Sequence, residues 1–115
     1  MLSKEFKRAL ANNVNGSRIV ANNEKRDLAT LAGEVVTIAD YEHLTAINDD
    51  GERSEFYAFT VEEHEGAYFN AGSALNKIFA ECDANHEDFR GERVKVEKKI
   101  RLTGGRTYTP VTIVE

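Results

Sequence analysis

The segment from Glu92 to Val114, ERVKVEKKIRLTGGRTYTPVTIV, alternates between apolar and polar side chains on both sides of a glycine pair. Successive side chains of a β-strand point to opposite faces, so this pattern predicts two strands that each have one apolar face. Gly104 and Gly105 provide the positive φ angles that a tight hairpin turn requires. Lys98 is a charged residue in phase with the apolar set, so it marks a bulge or snorkels, and Pro110 cannot donate a ladder hydrogen bond, which indicates an edge or a bulge there. The segment therefore predicts a β-hairpin.

The solvent face of this hairpin is basic. Lys95, Lys99 and Arg101 share one face of the first arm, and the second arm adds Arg106 beside Tyr108. A row of cations beside an exposed aromatic ring can hold a phosphate backbone and stack a base. A solvated hairpin with ordinary surface lysines explains the same residues equally well. The positions expected on the apolar, buried face are Val94, Val96, Ile100, Leu102, Val111 and Ile113.

The basic hairpin belongs to a chain of net charge −5. Residues 1–26 carry a balance of +4, residues 27–89 of −13, and residues 90–115 of +4. Basic ends around an acidic middle indicate one surface for an anionic partner and another that repels it. The acidic middle also supports an alternative function, a DNA mimic that inhibits a DNA-binding host protein, and a purely protein-binding module is a third. The acidic residues proposed for such an inhibitor are Asp40, Glu42, Asp49, Asp50, Glu52 and Glu55.

Three further strands are predicted before the hairpin. Val35 to Tyr41 has a firm β pattern that can continue to Ile47, and Glu55 to Val61 and Ala67 to Ala71 follow after turns rich in Asn, Asp and Gly. Residues 1–33 are expected to form an N-terminal helix and extension, and residues 34–115 the main part of a single globular domain.

The N-terminal extension has weaker patterns. Ser3 can cap a short helix, Arg18 to Val20 could be a short strand, and the segment from Asn22 to Arg26 has the composition of a loop.

A helix from Ser73 to Asp83 is predicted between the third strand and the hairpin. Leu75, Ile78, Phe79 and Cys82 recur at helical spacing, so we expect all four to point into the core. The element order from residue 34 is then β-β-β-α-β-β. A small five-stranded Greek-key barrel with its helix between strands three and four is the oligonucleotide/oligosaccharide-binding (OB) fold. The sequence therefore predicts a mainly β, OB-like barrel, with an open α+β sheet of the same element order as the alternative.

Two segments, YFNAGSALNKIF (Tyr68 to Phe79) and VKVEKKIRLTGGRTYTPVTIV (Val94 to Val114), resemble the small single-stranded-DNA-binding proteins of bacteriophages and prophages. The resemblance covers roughly the C-terminal half of the chain. It consists of a strand that runs into a capped helix, then a K/R-rich arm, a glycine turn and R-T-Y. This resemblance implies an OB fold and weakly sequence-dependent binding of single-stranded DNA. Phage or host replication and recombination proteins are further partners that we expect.

The candidate binding residues for this function are four cations for phosphates and two aromatic rings for stacking. They are Lys95, Lys99, Arg101, Arg106, Tyr108 and Phe56. Base–aromatic stacking is worth ~1–3 kcal/mol per base, so two rings and a few phosphate contacts would suffice for useful binding. Phe56 is included because it lies out of phase with the apolar set of its strand, although it could equally lie under the N-terminal segment.

Catalytic and metal-binding patterns are missing from the sequence. The single cysteine, Cys82, excludes an internal disulfide and a multi-thiolate metal site. Asp83 begins a segment like a calcium loop, but the central Gly is missing and the twelfth position is Val94 rather than Glu. We therefore expect no enzyme, no metal and no cofactor. No apolar run approaches the ~18 residues of a membrane span and the N-terminus lacks a signal peptide, so we expect a cytoplasmic protein without membrane association. The oligomeric state stays open, a homodimer included.

Overall fold

The computed structural model describes residues 18–47 and 50–115 of this chain. The elements in chain order are α1 (Arg18–Asn22), β1 (Glu24–Arg26), a 3-10 helix (Leu28–Leu31), β2 (Val35–Ile47), β3 (Arg53–Val61), β4 (Ala67–Asn70), α2 (Ser73–Ala84), β5 (Arg93–Val96), β6 (Ile100–Arg101), β7 (Thr107–Tyr108) and β8 (Val111–Val114). The protein is mainly β, as the sequence predicted. The helix expected after Ser3 lies outside the described residues. Within the described ranges, no helix combines the length and the apolar character needed to cross a membrane.

Six strands form one mixed sheet in the order β1-β4-β3-β2-β5-β8. β1 pairs with β4 in parallel, and the other pairings in this sheet are antiparallel. Among the described residues no ladder joins the β1 edge to the β8 edge, so the sheet is open. The prediction of a closed five-stranded barrel is wrong in this respect. Because β1 pairs with the free side of β4, that side is not available to β8.

β2 is shared between the two halves of the sheet. Its first three residues pair with β5, and the rest of the strand pairs with β3. The pairing with β3 shifts register between Ile38 and Asp40, which leaves Ala39 as the additional residue of a β-bulge. Val36 and Ile38 are fully buried before the bulge, and Tyr41 is buried after it. The bulge therefore lies where β2 passes from one partner strand to the other.

Phe79 of α2 lies at the centre of an aromatic core. Its ring stacks on Tyr41 with 4.5 Å between centroids and 8° between planes. The rings of Tyr57, Phe59 and Phe89 surround it at centroid distances of 5.6 to 6.0 Å. Side chains from β2, β3 and the segment after α2 therefore converge on this one residue of the helix.

The predicted inward face of α2 is confirmed in part. Leu75 and Phe79 are fully buried, whereas Ile78 and Cys82 are only partly buried where they pack against the core. The apolar stripe is therefore wider than the surface that the sheet offers to it.

Polar contacts also join α2 to β3. The hydroxyl of Tyr57 donates a hydrogen bond to the carboxylate of Asp83, and the backbone N–H of Tyr57 donates to Asn76 Oδ1 at 2.8 Å. Burial, followed by the hydrogen bond and charge of Asp83, raises the pKa of Tyr57 well above its usual value. The phenol therefore stays protonated and keeps donating to Asp83 under ordinary conditions.

α1 covers part of the opposite face of the sheet. Ile19 is buried there against Leu44, Ala58 and Tyr68, and Phe56 packs at the edge of this cluster. The short strand predicted at residues 18–20 is therefore wrong. A short helix is sufficient to place Ile19 on the sheet, and so few residues carry no clear periodicity from which to predict it.

The predicted hairpin is present at its base and at its tip but is interrupted between them. β5 and β8 pair within the main sheet, whereas β6 and β7 form a separate ribbon. The ladder stops around Lys98 and Pro110, where the sequence indicated a bulge or an edge. Because the tip leaves the sheet, Ile100 and Leu102 are 46% and 43% exposed, and because β8 is an open edge, Ile113 is 49% exposed. The prediction that these three residues are buried is wrong.

Candidate nucleic-acid interface

A cavity of about 590 Å³ is lined by β1, the start of α2 and the projecting hairpin. Three cationic side chains line it: Lys25 and Arg26 from β1, and Lys99 from the segment before β6. Tyr108 of β7 is half-buried and adds an aromatic ring to the same lining. The structure thus brings together two residues that the sequence singled out, Lys99 and Tyr108, and two that it did not.

β1 is held in place by its parallel pairing with β4. Lys25 lies opposite Tyr68, and Arg26 lies opposite Phe69. The prediction of a loop from Asn22 to Arg26 is wrong, since Asn22 ends α1 and residues 24–26 form β1. The three residues of β1 are all charged and exposed, so they carry no apolar alternation from which a strand could be predicted. The available signal was the basic balance of residues 1–26, which did not single out these two side chains.

The cations of this cavity are not paired with carboxylates of the described residues. Among the described residues, Lys25, Arg26 and Lys99 form no ion pair. One carboxylate, that of Asp27, is present in the described lining. It accepts a hydrogen bond from the N–H of Ala29 at 2.9 Å and caps the 3-10 helix. The lining therefore has an excess of positive charge in a protein of net charge −5.

The first turn of α2 borders the cavity through Gly72 and Ser73. The N-cap is Gly72, which has no side chain, so the cap residue contributes no side-chain hydrogen bond. A Cβ atom on Gly72 would lie 3.2 Å from Cδ2 of Leu28, so glycine allows the 3-10 helix to pack closely against the start of α2. The partial positive charge of a helix N-terminus has the same sign as the cations of this lining.

A second cavity, of about 490 Å³, adjoins the first on the face of the sheet that α1 partly covers. The two cavities share Lys25 and Asn70, and the Oδ1 atom of Asn70 is buried without a hydrogen-bond partner among the described residues. Phe56 lines the second cavity with Leu44 and Tyr68, beside α1. The sequence left two alternatives for Phe56, a surface for stacking or a place under the N-terminal segment. In the structure both apply, because Phe56 lines this cavity and also lies next to α1.

The other predicted cations do not line either cavity. Lys95, Arg101 and Arg106 are all exposed, Lys95 on β5 and the two arginines at the tip of the hairpin. The row of cations expected along the hairpin is therefore divided, since only Lys99 joins the cavity that β1 borders.

Two of the acidic residues proposed for the DNA-mimic function form ion pairs within the fold. Arg90 Nε lies 2.7 Å from Asp40 Oδ1, and Arg18 Nε lies 3.4 Å from Glu42 Oε1. These two carboxylates are therefore already paired with arginines of the same chain, which makes them less suited to bind a basic partner protein. Asp49 lies outside the described residues.

Cys82 is partly exposed, although the sequence placed it in the core. Burial, followed by the charges of Asp83, Glu87, Asp88 and Glu81, raises the pKa of its thiol. The protonated thiol is a poor nucleophile. In the described part of the chain, no three His, Cys, Asp or Glu side chains are grouped in a way that could hold a metal ion.

We expect native Cys82 to react with an aromatic disulfide reagent at least about tenfold more slowly than in the unfolded protein at neutral pH, because the thiolate is the reacting form. The rate should rise as the pH approaches the raised pKa of the thiol. Absorbance of the released thiol, recorded with and without denaturant, measures both rates. A short peptide with the residues around Cys82 is the control for intrinsic reactivity. Native labelling as fast as that of the peptide would contradict this expectation.

No family model, curated protein or solved structure matches this chain.

Proposed function

We propose that the chain binds single-stranded DNA in the groove formed by these two adjoining cavities. The observation that carries the proposal is a group of three cations, Lys25, Arg26 and Lys99, which have no ion-pair partner among the described residues and lie beside the half-buried ring of Tyr108. In this arrangement phosphates contact the cations and a base stacks on the tyrosine. Proteins that bind single strands without sequence preference combine these two kinds of contact.

We infer that the sheet is an open variant of the OB fold. Without β1 its strand order is β4-β3-β2-β5-β8, and α2 follows the third of these strands along the chain, as in the predicted element order. OB folds bind oligonucleotides on the face of their second and third strands and through the loop between the fourth and fifth. The equivalents here are β3, β4 and the connection from β5 to β8, which carries Lys99 and Tyr108. In this interpretation β1 is an additional edge strand that contributes cations.

The charge distribution limits where and how tightly a strand can bind. A net charge of −5 weakens non-specific attraction to phosphates, whereas the groove itself has an excess of positive charge. Phosphate contacts should therefore be few and confined to the groove, and the affinity should be modest. Duplex DNA should bind less well because its bases are not available for stacking on Tyr108.

Titration with a fluorescent oligo-dT of about 12 nucleotides at several salt concentrations tests this proposal. Lys25→Ala and Lys99→Ala should each weaken binding and reduce the slope of log K against log salt by about 0.7 for each phosphate that the protein no longer neutralises. Tyr108→Ala should instead cost ~1–3 kcal/mol with little change in slope, because stacking releases no counterions. Lys77→Ala removes an exposed lysine of α2 outside the groove and is the matched control.

Absence of binding by the wild type at low salt would reject the proposal and favour the acidic inhibitor, which a basic DNA-binding protein should then capture. If Lys95→Ala/Arg101→Ala abolishes binding while Lys25→Ala has no effect, the strand binds on the solvent face of the hairpin rather than in the groove.

A further inference from the structure

β8 is the second edge of the main sheet, and one side of its backbone faces away from the other strands. The N–H of Glu97 donates to the carbonyl of Pro110 at 2.9 Å, on the side of β5 that pairs with β8. Alternate residues of an antiparallel strand bond to the same neighbour, so every second residue from Pro110 faces β5. The N–H and C=O groups of Val111 and Ile113 therefore point away from β5, and among the described residues no strand lies there to accept or donate.

The two edges of the sheet differ in their protection against further pairing. All three residues of β1 are charged and exposed, and charged side chains discourage the addition of another strand. β8 contains no charged residue, and the side chain of Ile113 is half exposed. Among the described residues, the β1 edge is thus protected by charge, whereas the β8 edge has neither a charged side chain nor a further strand.

An apolar groove of about 280 Å³ lies beside the open edge. Glu81 and Glu87 belong to the same lining, and the neighbouring carboxylate of Asp83 adds negative charge, whereas Asp88 is paired with Arg90 at 2.9 Å. The apolar side chains of the lining are Ile78, Cys82, Phe89 and Ile113. The groove therefore offers an apolar surface with an acidic rim directly next to backbone groups that face away from the sheet.

We propose that β8 and this groove bind an extended peptide segment in which apolar residues are flanked by Lys or Arg. The segment adds to the sheet as a further strand: Val111 and Ile113 supply the main-chain hydrogen bonds, and alternate apolar side chains enter the groove. The flanking cations meet Glu81 and Glu87. No residue of this lining belongs to either cavity of the nucleic-acid groove, so the inference does not depend on the proposed function.

A second copy of this chain fits the edge less well than a basic partner. Symmetric pairing of two β8 strands would bring the acidic rims of both copies to one interface, because a twofold axis places the same patch on both sides. Like charges face to face oppose such a contact.

The test uses the full chain and the acetylated, amidated peptide Lys-Thr-Val-Thr-Val-Thr-Lys, whose lysines and valines share one face of a strand. Nuclear magnetic resonance follows the titration and the hydrogen exchange of individual amides. Exchange at Val111 and Ile113 should slow on binding, while Thr112 and Val114, which already face β5, should change little. A peptide with Glu in place of both lysines should bind at least about tenfold more weakly.

Charge reversal at the rim provides the matching change in the protein. Glu81→Lys/Glu87→Lys should weaken binding of the lysine peptide at least about tenfold and favour the glutamate peptide. Glu62→Lys/Glu65→Lys makes the same change of charge at exposed positions outside the groove and should leave the preference intact. Far-ultraviolet circular dichroism confirms that each variant is folded.

Three results would overturn the proposal. The first is equal binding of both peptides to the wild type, and the second is unchanged exchange at Val111 and Ile113 when the lysine peptide is saturating. The third is dimerisation in sedimentation without peptide, together with slow exchange at the same two amides, which would assign this edge to a second copy.

Discussion

Phe79→Ala should lower the free energy of unfolding by about 3–5 kcal/mol. The ring is fully buried and packs with four other aromatic rings, one of which, Tyr41, stacks on it. Its removal leaves a cavity between α2 and the sheet, and the hydrogen bonds from Tyr57 to α2 oppose the movement that would fill it. Urea denaturation followed by circular dichroism measures the decrease.

Ile113→Ala is the informative control because the sequence assigned both positions to the core. Ile113 is half exposed at the open edge, so its truncation should cost about 1 kcal/mol or less. Equal decreases in the two variants would contradict the position of β8 at an uncovered edge.

Lys25→Glu/Lys99→Glu should weaken binding of oligo-dT by about 100-fold or more at low salt. The variant removes two cations proposed to contact phosphates, and it places two carboxylates in the lining of the groove, where they repel the backbone of the strand. The effect should shrink as salt rises, because the substituted side chains are exposed and their charges are screened. Fluorescence anisotropy at several salt concentrations measures both quantities.

Arg101→Glu/Arg106→Glu produces the same change of net charge on the exposed tip of the hairpin and controls for overall charge. It should weaken binding by about tenfold or less, since these arginines line neither cavity. Similar decreases in affinity for both double variants would mean that net charge, rather than the groove, governs binding.

The elements that bury apolar side chains at regular spacing could be predicted closely. β2 was expected at residues 35–41 with a continuation to Ile47, and it spans Val35–Ile47. α2 was expected from Ser73 to Asp83 and ends one residue later, at Ala84. In both cases the signal comes from neighbouring residues on one face, and the same face packs against the core.

The groove could not be predicted because distant parts of the chain build it. Lys25 and Arg26 meet Lys99 only through the parallel pairing of β1 with β4, and no local pattern determines which strands become neighbours. The same limit explains the errors on the hairpin. Alternation places Ile100 and Leu102 on one face, but it does not determine whether another element covers that face.

The bulge in β2 has a consequence for the shape of the groove. If Ala39 were absent, Ile38 and Tyr41 would still face the core in a regular alternation, so the additional residue is not needed to bury any side chain. Its effect is on curvature, because a bulge bends and twists the strand locally. The hairpin is attached through β5 to one side of this bend, and β1 is attached through β3 and β4 to the other. Ala39, whose own side chain is exposed, therefore acts through its backbone, on the relative orientation of the two strands that border the groove.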